Sequence, residues 1–499
     1  MVAHGHGVGR PAHAPVSDEV RRRRQWRLQG GPPTEPMPLV DLLRRTPYRN
    51  ARVASEGAEE ARVREALELA VRLGELMLRC GAGAPQVEGS VAAVCAAAGL
   101  NDVEIDITLQ SLLVHARIDA VHSVTALRVV RSTRHDYARL VAVHELIDAF
   151  VNGHIEMHEA TEQLRDLKRT PRTWPDWSVT LATAMLAAAV AVMIGASLFT
   201  GFLTVLVVLG VSAVERAMGP MRLPDFYSNA VSAFVATLLA WVAYAAGAMG
   251  WIPVGGKDFA FIVAGGIVAL LPGRTMASAV EDVISGYAVT GAGRLLAVIV
   301  SLTGLIIGIA VALGLTIRLT DALDVSFVSP SVLDLRTSQS EWWAAVLGSL
   351  IVGSCGAITM QSRRGLLLPT ALLSLAGTGV FAALTRVAEV GSVTATGIAA
   401  VSLGLVGRLV ALRLGAPAMV VVVPATFGLL PGLTIFRGLY ELVGESASSI
   451  GTLSFQAGVA TLLGAAGVLL AIATGTTLGE IVASRWDSRV GRARRRARV

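Results

Sequence analysis

Residues Ser178–Gly201 read SVTLATAMLAAAVAVMIGASLFTG, a run of 24 residues without one charged side chain. At about 1.5 Å per residue a helix of this length crosses the roughly 30 Å of a bilayer's hydrocarbon. Working outward, the chain divides at this run. Residues 1–177 carry 23 basic and 23 acidic side chains, whereas residues 178–499 carry 20 and 14. The second part has far too few charges for a water-exposed surface, so the reading is an integral membrane protein with a water-soluble N-terminal portion. With 53% hydrophobic residues, general disorder is excluded. A net charge of +6 spread over 499 residues is no basic stripe, so a nucleic-acid partner is not expected.

The apolar runs after residue 177 predict about ten helical spans, at 178–196, 199–215, 226–249, 258–272, 294–317, 341–360, 364–385, 391–412, 416–431 and 452–482. With the N-terminus inside, eighteen basic residues fall on the inner side and five on the outer, a positive-inside bias that makes both termini cytoplasmic. The start shows no secretory signal: Arg21–Arg24 are not followed by an apolar stretch. Residues 1–55, rich in Arg and Pro, read as a disordered tail.

Between residues 56 and 172 the periodicity is that of a small cytoplasmic α+β domain. Helical patterns at 58–80 and 85–98 precede three alternating runs, Val103–Ile107, Leu112–Ile118 and Ala126–Val130, which read as strands. Two more helices follow at 136–150 and 155–169. His154 and His158 have a chelating i, i+4 spacing, but a solvated helix face accounts for them, and no metal is expected. Cys80, Cys95 and Cys355 lack any CxxC or zinc spacing and read as small buried apolar residues. No catalytic motif stands in a fitting context, so no enzyme activity and no cofactor is expected.

The sequence also repeats itself. LLPGRT at Leu270–Thr275 returns as LLPGLT at Leu429–Thr434, an offset that carries the start of the first span to the start of the sixth. The membrane part therefore divides into repeats at 178–317 and 337–482. Five spans each is an odd number, which inverts one copy relative to the other, a plan common among secondary transporters. In each copy the fourth span is short and ends in Pro-Gly: Pro272-Gly273 and Pro431-Gly432. Such breaks free backbone groups beside a cavity, and Thr275 and Thr434 stand where an N-cap is wanted.

After the first break Ser278, Glu281, Asp282 and Ser285 form one polar stripe; Arg437 and Glu441 hold equivalent positions after the second. A further stripe, Asp225, Ser228, Asn229 and Ser232, opens the third span. Arg274 with the Pro-Gly helix start suits a carboxylate, while Asp225, Glu281 or Asp282 suits an ammonium group or a proton. The bland alternative is that these acids are solvated at the headgroup level. Glu341 and Glu480, near span ends, rank below them.

The set formed by LELAVRLGELMLRCGAGAPQVEGSVAAVCAAAGL, VEIDIT, LPDFYSNAVSAF, GGIVALLPGRTMASAVEDVISG and GAPAMVVVVPATFGLLPGLTIFRGLYELV resembles the threonine/serine exporter (ThrE) family of bacterial inner-membrane carriers. The resemblance covers residues from about 60 to 482. It implies a cytoplasmic N-terminal domain, ten spans, and export of threonine and serine driven by the proton motive force. Some relatives are tied to dicarboxylate (succinate) export, which makes that the second reading. A membrane-tethered hydrolase and a passive channel are the readings from other classes. Protons and a small amino acid are the expected partners, and self-association into a homo-oligomer is left open. The +6 itself resides in residues 485–499, where seven arginines oppose Asp487, a basic tail suited to anionic lipid headgroups.

Overall fold

The structure, a computed structural model, describes residues 60–117, 123–322, 341–444 and 452–486; the expected N-terminal tail and nearly all of the basic C-terminal tail lie outside them. The N-terminal α+β unit matches its periodicity closely. Helices α1 (Glu60–Arg79) and α2 (Ala84–Ala97) are followed by β1 (Val103–Thr108), β2 (Ser111–Arg117) and β3 (Ser123–Val129), then by α3 (Tyr137–Val151) and α4 (Met157–Arg169). The strands form an antiparallel meander, β1-β2-β3, with Ile105 opposite Val114 and Val114 opposite Ala126. Leu112, Val114 and Ala116 alternate onto the face that packs on α1, as the two-residue period requires. β3 starts three residues earlier than its apolar run because Ser123–Thr125 pair with His115–Arg117. Asp136 caps α3 by accepting from the Arg139 amide at 3.0 Å.

Cys80 and Cys95 are fully buried, and burial pushes both thiols up to about 12, as expected of inert core residues. His158 pairs with Glu162 at 3.4 Å, and the described residues hold no cluster of three or more metal-ligating side chains. Glu88 on α2 is half-buried, and burial raises its carboxyl to about 7.

The membrane part consists of α5 (Asp176–Met193), α6 (Leu198–Met218), α7 (Asp225–Ala248), α8 (Gly256–Leu270), α9 (Gly273–Ile284), α10 (Ala288–Ala322), α11 (Trp342–Thr359), α12 (Leu367–Arg386), α13 (Ser392–Leu414), α14 (Met419–Ala425), α15 (Gly432–Gly444) and α16 (Thr452–Ala483). Eight helices among the described residues are long and apolar enough to cross a membrane, or nine if the bent segment Met419–Leu429 with Gly432–Gly438 counts as one span. The chain is thus a polytopic helical membrane protein. The expected fourth span, α8, is helical but only 15 residues long. The expected ninth is shorter still, because Pro424 sits inside α14 and the chain tightens into a 3-10 turn over Thr426–Leu429. The expected fifth span grows to 35 residues, since uncharged Ala288–Gly293 continue the helix toward the α+β unit and Arg318–Ala322 lengthen its other end.

The short helices are the most enclosed. Every residue of α8 from Phe259 to Val268 is buried, and so are Met419–Val422 of α14. The long helices instead turn Leu206, Val242, Leu296, Ile299, Leu347, Leu368, Leu463 and Leu470 outward, as hydrocarbon contact requires. Two pairs of long helices pack closely through glycine. On α10, a Cβ at Gly304 or Gly308 would overlap the carbonyl oxygen of Phe226 or Ala230 on α7. On α16, a Cβ at Gly475 or Gly479 would do the same to Gly397 or Val401 on α13. Both pairs run parallel, and both use Gly-x-x-x-Gly. α5 and α11 run antiparallel: Trp174, just before α5, bonds Gln361 just after α11, while Met193 at the other end meets Gly348.

Two outcomes follow from this packing. Gly308→Ala is expected to lower the melting temperature of the detergent-solubilised chain, whereas Gly314→Ala, where a Cβ meets nothing within 4 Å, leaves it unchanged or raises it. The raised Glu88 carboxyl makes the folded chain hold a proton that the unfolded chain releases. Stability therefore falls as pH rises from the ordinary carboxylate range through about 7, and Glu88→Gln removes that slope in melts recorded across the window.

Candidate functional site

α8 ends because Pro272 offers no amide and Leu271 is extended (φ −67°, ψ 131°). α9 restarts at Gly273, so the N-cap position falls on Pro272, which makes no side-chain capping bond. Thr275 is therefore inside the helix, two residues past its start, and the expectation of a threonine cap there is corrected. The α9 backbone is described through Gly273 and Arg274, but their side chains lie outside the described set.

The polar stripe of α9 divides between three surroundings. Ser278 and Glu281 face a narrow cavity of about 30 Å³, room for about one water molecule, completed by Thr426 and the apolar Met419, Val422 and Val423 from the ninth segment, and by Ile472, Thr476, Thr477 and Glu480 of α16. Glu281 and Glu480 are near enough to repel each other, and Arg408 of α13 attracts Glu480. Four hydroxyls and two carboxylates thus face one space with an apolar wall. Asp282, one residue on, turns away from it. Fully buried, it accepts from the Ala84 amide of α2 at 3.0 Å and from Arg294 at 2.6 Å. The solvated reading fails for this residue. Ser285 closes the stripe exposed, at the helix C-cap.

The remaining candidates lie outside the cavity lining. Asp225 is exposed in the first turn of α7. Asn229 bonds the Ser301 hydroxyl across the α7–α10 contact, and Ser232 donates to Glu215 at 2.9 Å. Pro431 and Gly432 are buried at the second break, where a Cβ on Gly432 would press into Val268 of α8. Thr434 is half-buried within α15. Glu441 is held by Arg437 at 2.8 Å and by Thr461 at 3.1 Å. Beside them Phe436 is fully buried, its ring 6.2 Å from that of Phe259 on α8. The second break is therefore packed against α8 through Gly432 and Phe436.

Glu480, ranked below the other acids from its position near a span end, lines the cavity beside Glu281. Its signal was available: it is the only charged residue between Glu445 and Arg485, with Thr476 and Thr477 one turn before it on the same face.

Comparison with known proteins agrees with this architecture. Residues 68–316 match a family model described as "Putative threonine/serine exporter", and residues 345–482 match a second, "Threonine/Serine exporter, ThrE". The chain is 29% identical over 477 residues to a "Probable threonine/serine exporter" of Mycobacterium tuberculosis (strain ATCC 25618 / H37Rv), covering 94% of this chain and 84% of that one. It is 27% identical over 465 residues to a "Threonine/serine exporter" of Corynebacterium glutamicum, covering 92% and 87%. No solved structure matches. With the two models together spanning most of the chain, from α1 to the end of α16, this protein belongs to the threonine/serine exporter family.

Proposed function

We propose that the protein is a secondary active exporter of threonine and serine that exchanges the amino acid for protons at the Glu281–Glu480 cavity. The observation that carries this reading is the lining itself: two carboxylates, four hydroxyls and an apolar wall around one space. With the cavity widened, an amino-acid ammonium group binds between the carboxylates, whose mutual repulsion Arg408 and Arg294 offset only in part. The substrate hydroxyl bonds Ser278 or the threonines, and a threonine methyl group rests on Val422, Val423 or Ile472. A proton relieves the same repulsion that the ammonium group relieves. The two cations therefore compete for one pair of acids, which is the thermodynamic requirement for exchange. A dicarboxylate would add negative charge to that pair, so the amino acid is favoured over succinate. Arg274 and the start of α9 remain the proposed partner of the substrate carboxylate.

Several features support ten spans in two inverted halves. The antiparallel α5 and α11 are the first helices of each half. The glycine-sealed pairs α7–α10 and α13–α16 join the third and fifth helices within each half. The segment after each break faces the short helix of the other half, α9 toward α14 and α15 toward α8. The two family models also divide between α10 and α11. On this plan Asp282 and Glu441 are counterparts, and Pro272, Gly273, Pro431, Gly432 and Thr434 shape the two breaks. Asp225 and Asn229 open α7 on the α+β side. We place that side in the cytoplasm, in the bacterial inner membrane, with both termini inside and the basic tail on anionic lipid.

Cells loaded with threonine, serine or succinate, with and without the protein, test this reading. Threonine and serine efflux is expected to depend on the protein and to stop with an uncoupler. Glu281→Gln and Glu480→Gln are each expected to lower it by about tenfold or more. Movement of succinate alone, or a double variant with undiminished, uncoupler-sensitive efflux, overturns it.

A further inference from the structure

The N-terminal α+β unit touches the membrane helices at two places of different character. At the first, the leading end of α2 and the β1–β2 turn meet α9 and α10. The Ala84 amide donates to Asp282, whose other oxygen takes Arg294. Gly83 sits so close that a Cβ there would lie 3.3 Å from Oε2 of Glu281, the carboxyl that faces the cavity on its other side. The Thr290 hydroxyl accepts from the Leu109 amide at 3.0 Å and donates to the Ile107 carbonyl at 2.9 Å. Leu109 holds a left-handed backbone (φ 54°) that disfavours a leucine, and its side chain packs on Gly293. The tip of the turn is thus shaped by what it docks onto.

The second contact involves the other half of the membrane part. The amides of Tyr137 and Ala138 donate to the carbonyls of Met360 and Gln361, at 3.0 and 2.9 Å. Gln361 bonds the Trp174 backbone in both directions, and the Trp174 indole donates to the Ser362 carbonyl. Arg364 lies over the Trp174 ring, and Arg363 forks onto Glu145 at 2.7 Å. Backbone bonds dominate here, and the ion pair is exposed, so little in this contact depends on one charge.

We infer that the α+β unit is a working part of the transport pathway, a strap hinged on Met360–Arg364 and latched through Asp282, which holds α9 and its Glu281 in the cavity. The inference rests on the cavity being the transport site. Its physical basis is the contrast between the contacts. Beside the two Thr290 bonds, the latch centres on one buried carboxylate shared by a helix N-terminus and an arginine, so losing that carboxylate leaves charge and amide unsatisfied. The hinge distributes its bonds over several backbone groups. The latch lies on the first half and the hinge on the second, so a rearrangement of the two halves against each other on this side must open one of them. The latch yields first, and α9 is then free to leave the position it holds here.

Two experiments on the full chain test this. In a Leu109→Cys/Thr290→Cys pair, oxidation is expected to stop threonine efflux by more than tenfold, with recovery on reduction. A Glu145→Cys/Arg363→Cys pair bridged by a short bis-maleimide keeps its efflux, because the hinge stays closed throughout. Undiminished efflux with the latch oxidised, or equal block at both places, overturns the strap. The second measurement needs no transport. In Asp282→Asn, hydrogen exchange at Ala84–Val87 and Ile107–Leu109 is expected to rise several-fold while Tyr137–Val151 is unchanged. A uniform rise, or none, overturns the latch. If that exchange pattern holds but neither threonine nor serine moves in any form of the protein, the exporter reading fails and the strap stands.

Discussion

Hydrocarbon offers no hydrogen-bond partner, so an interrupted helix can exist at membrane depth only where protein encloses it. This constraint organises the whole membrane part. α8 stops just before Pro272 and α14 carries Pro424 inside its last turn, and both are largely buried. The long helices form the enclosure and carry the outward-facing leucines and isoleucines. The enclosure must also be tight, and the glycines of α10 and α16 supply that by letting backbones of parallel neighbours approach to contact. Polar side chains that would be intolerable against lipid become affordable beside the breaks. Ser278, Glu281, Thr426 and Glu480 all lie there, and the carboxylates can be retained because they face a cavity and an arginine's field.

The two breaks share one sequence motif but differ in content, and the difference is one of side-chain volume. After Pro272 the helix carries Ala277 and Ser278; after Pro431 the corresponding residues are Phe436 and Arg437. A buried phenylalanine fills the space beside α8 and stacks edge-on against Phe259, while Arg437 satisfies Glu441 locally. The first break borders the small cavity instead, with Ser278 in its lining. Two breaks with one motif thus have different surroundings, a small cavity beside the first and a buried phenylalanine beside the second.

Much of this was legible from the residues, for a definite reason. Alternation and the 3.6-residue period are properties of each element alone, so β1, β2 and the helices of the α+β unit begin and end close to where their patterns do. The Pro-Gly breaks and the repeat are equally local. What was not legible depends on partners distant in sequence. The early start of α10 at Ala288 brings Thr290 and Gly293 to Leu109, and the departure of β3 from its apolar run reflects pairing with His115–Arg117. Glu480 gains its place from α9, some two hundred residues earlier, and position near a span end carries no trace of that. The glycine spacing of α10 and α16 was visible in the sequence, but only the facing carbonyls give it meaning.

Glu281 and Asp282 show the same limit at its smallest scale. The i, i+3, i+4 stripe groups them as one polar face, yet successive residues on a helix project about 100° apart. That angle sends one carboxylate into the cavity and the other into the N-terminus of α2. Their adjacency then becomes a coupling. A shift of α9 that changes the surroundings of Glu281 moves Asp282 with it, and Asp282 cannot move without disturbing both Ala84 and Arg294. The N-terminal α+β unit is consequently tied to the cavity-lining Glu281 through its neighbour Asp282 and through Gly83. A polar stripe read from sequence identifies the helix on which such chemistry resides; only the packing around it assigns different tasks to its neighbouring residues.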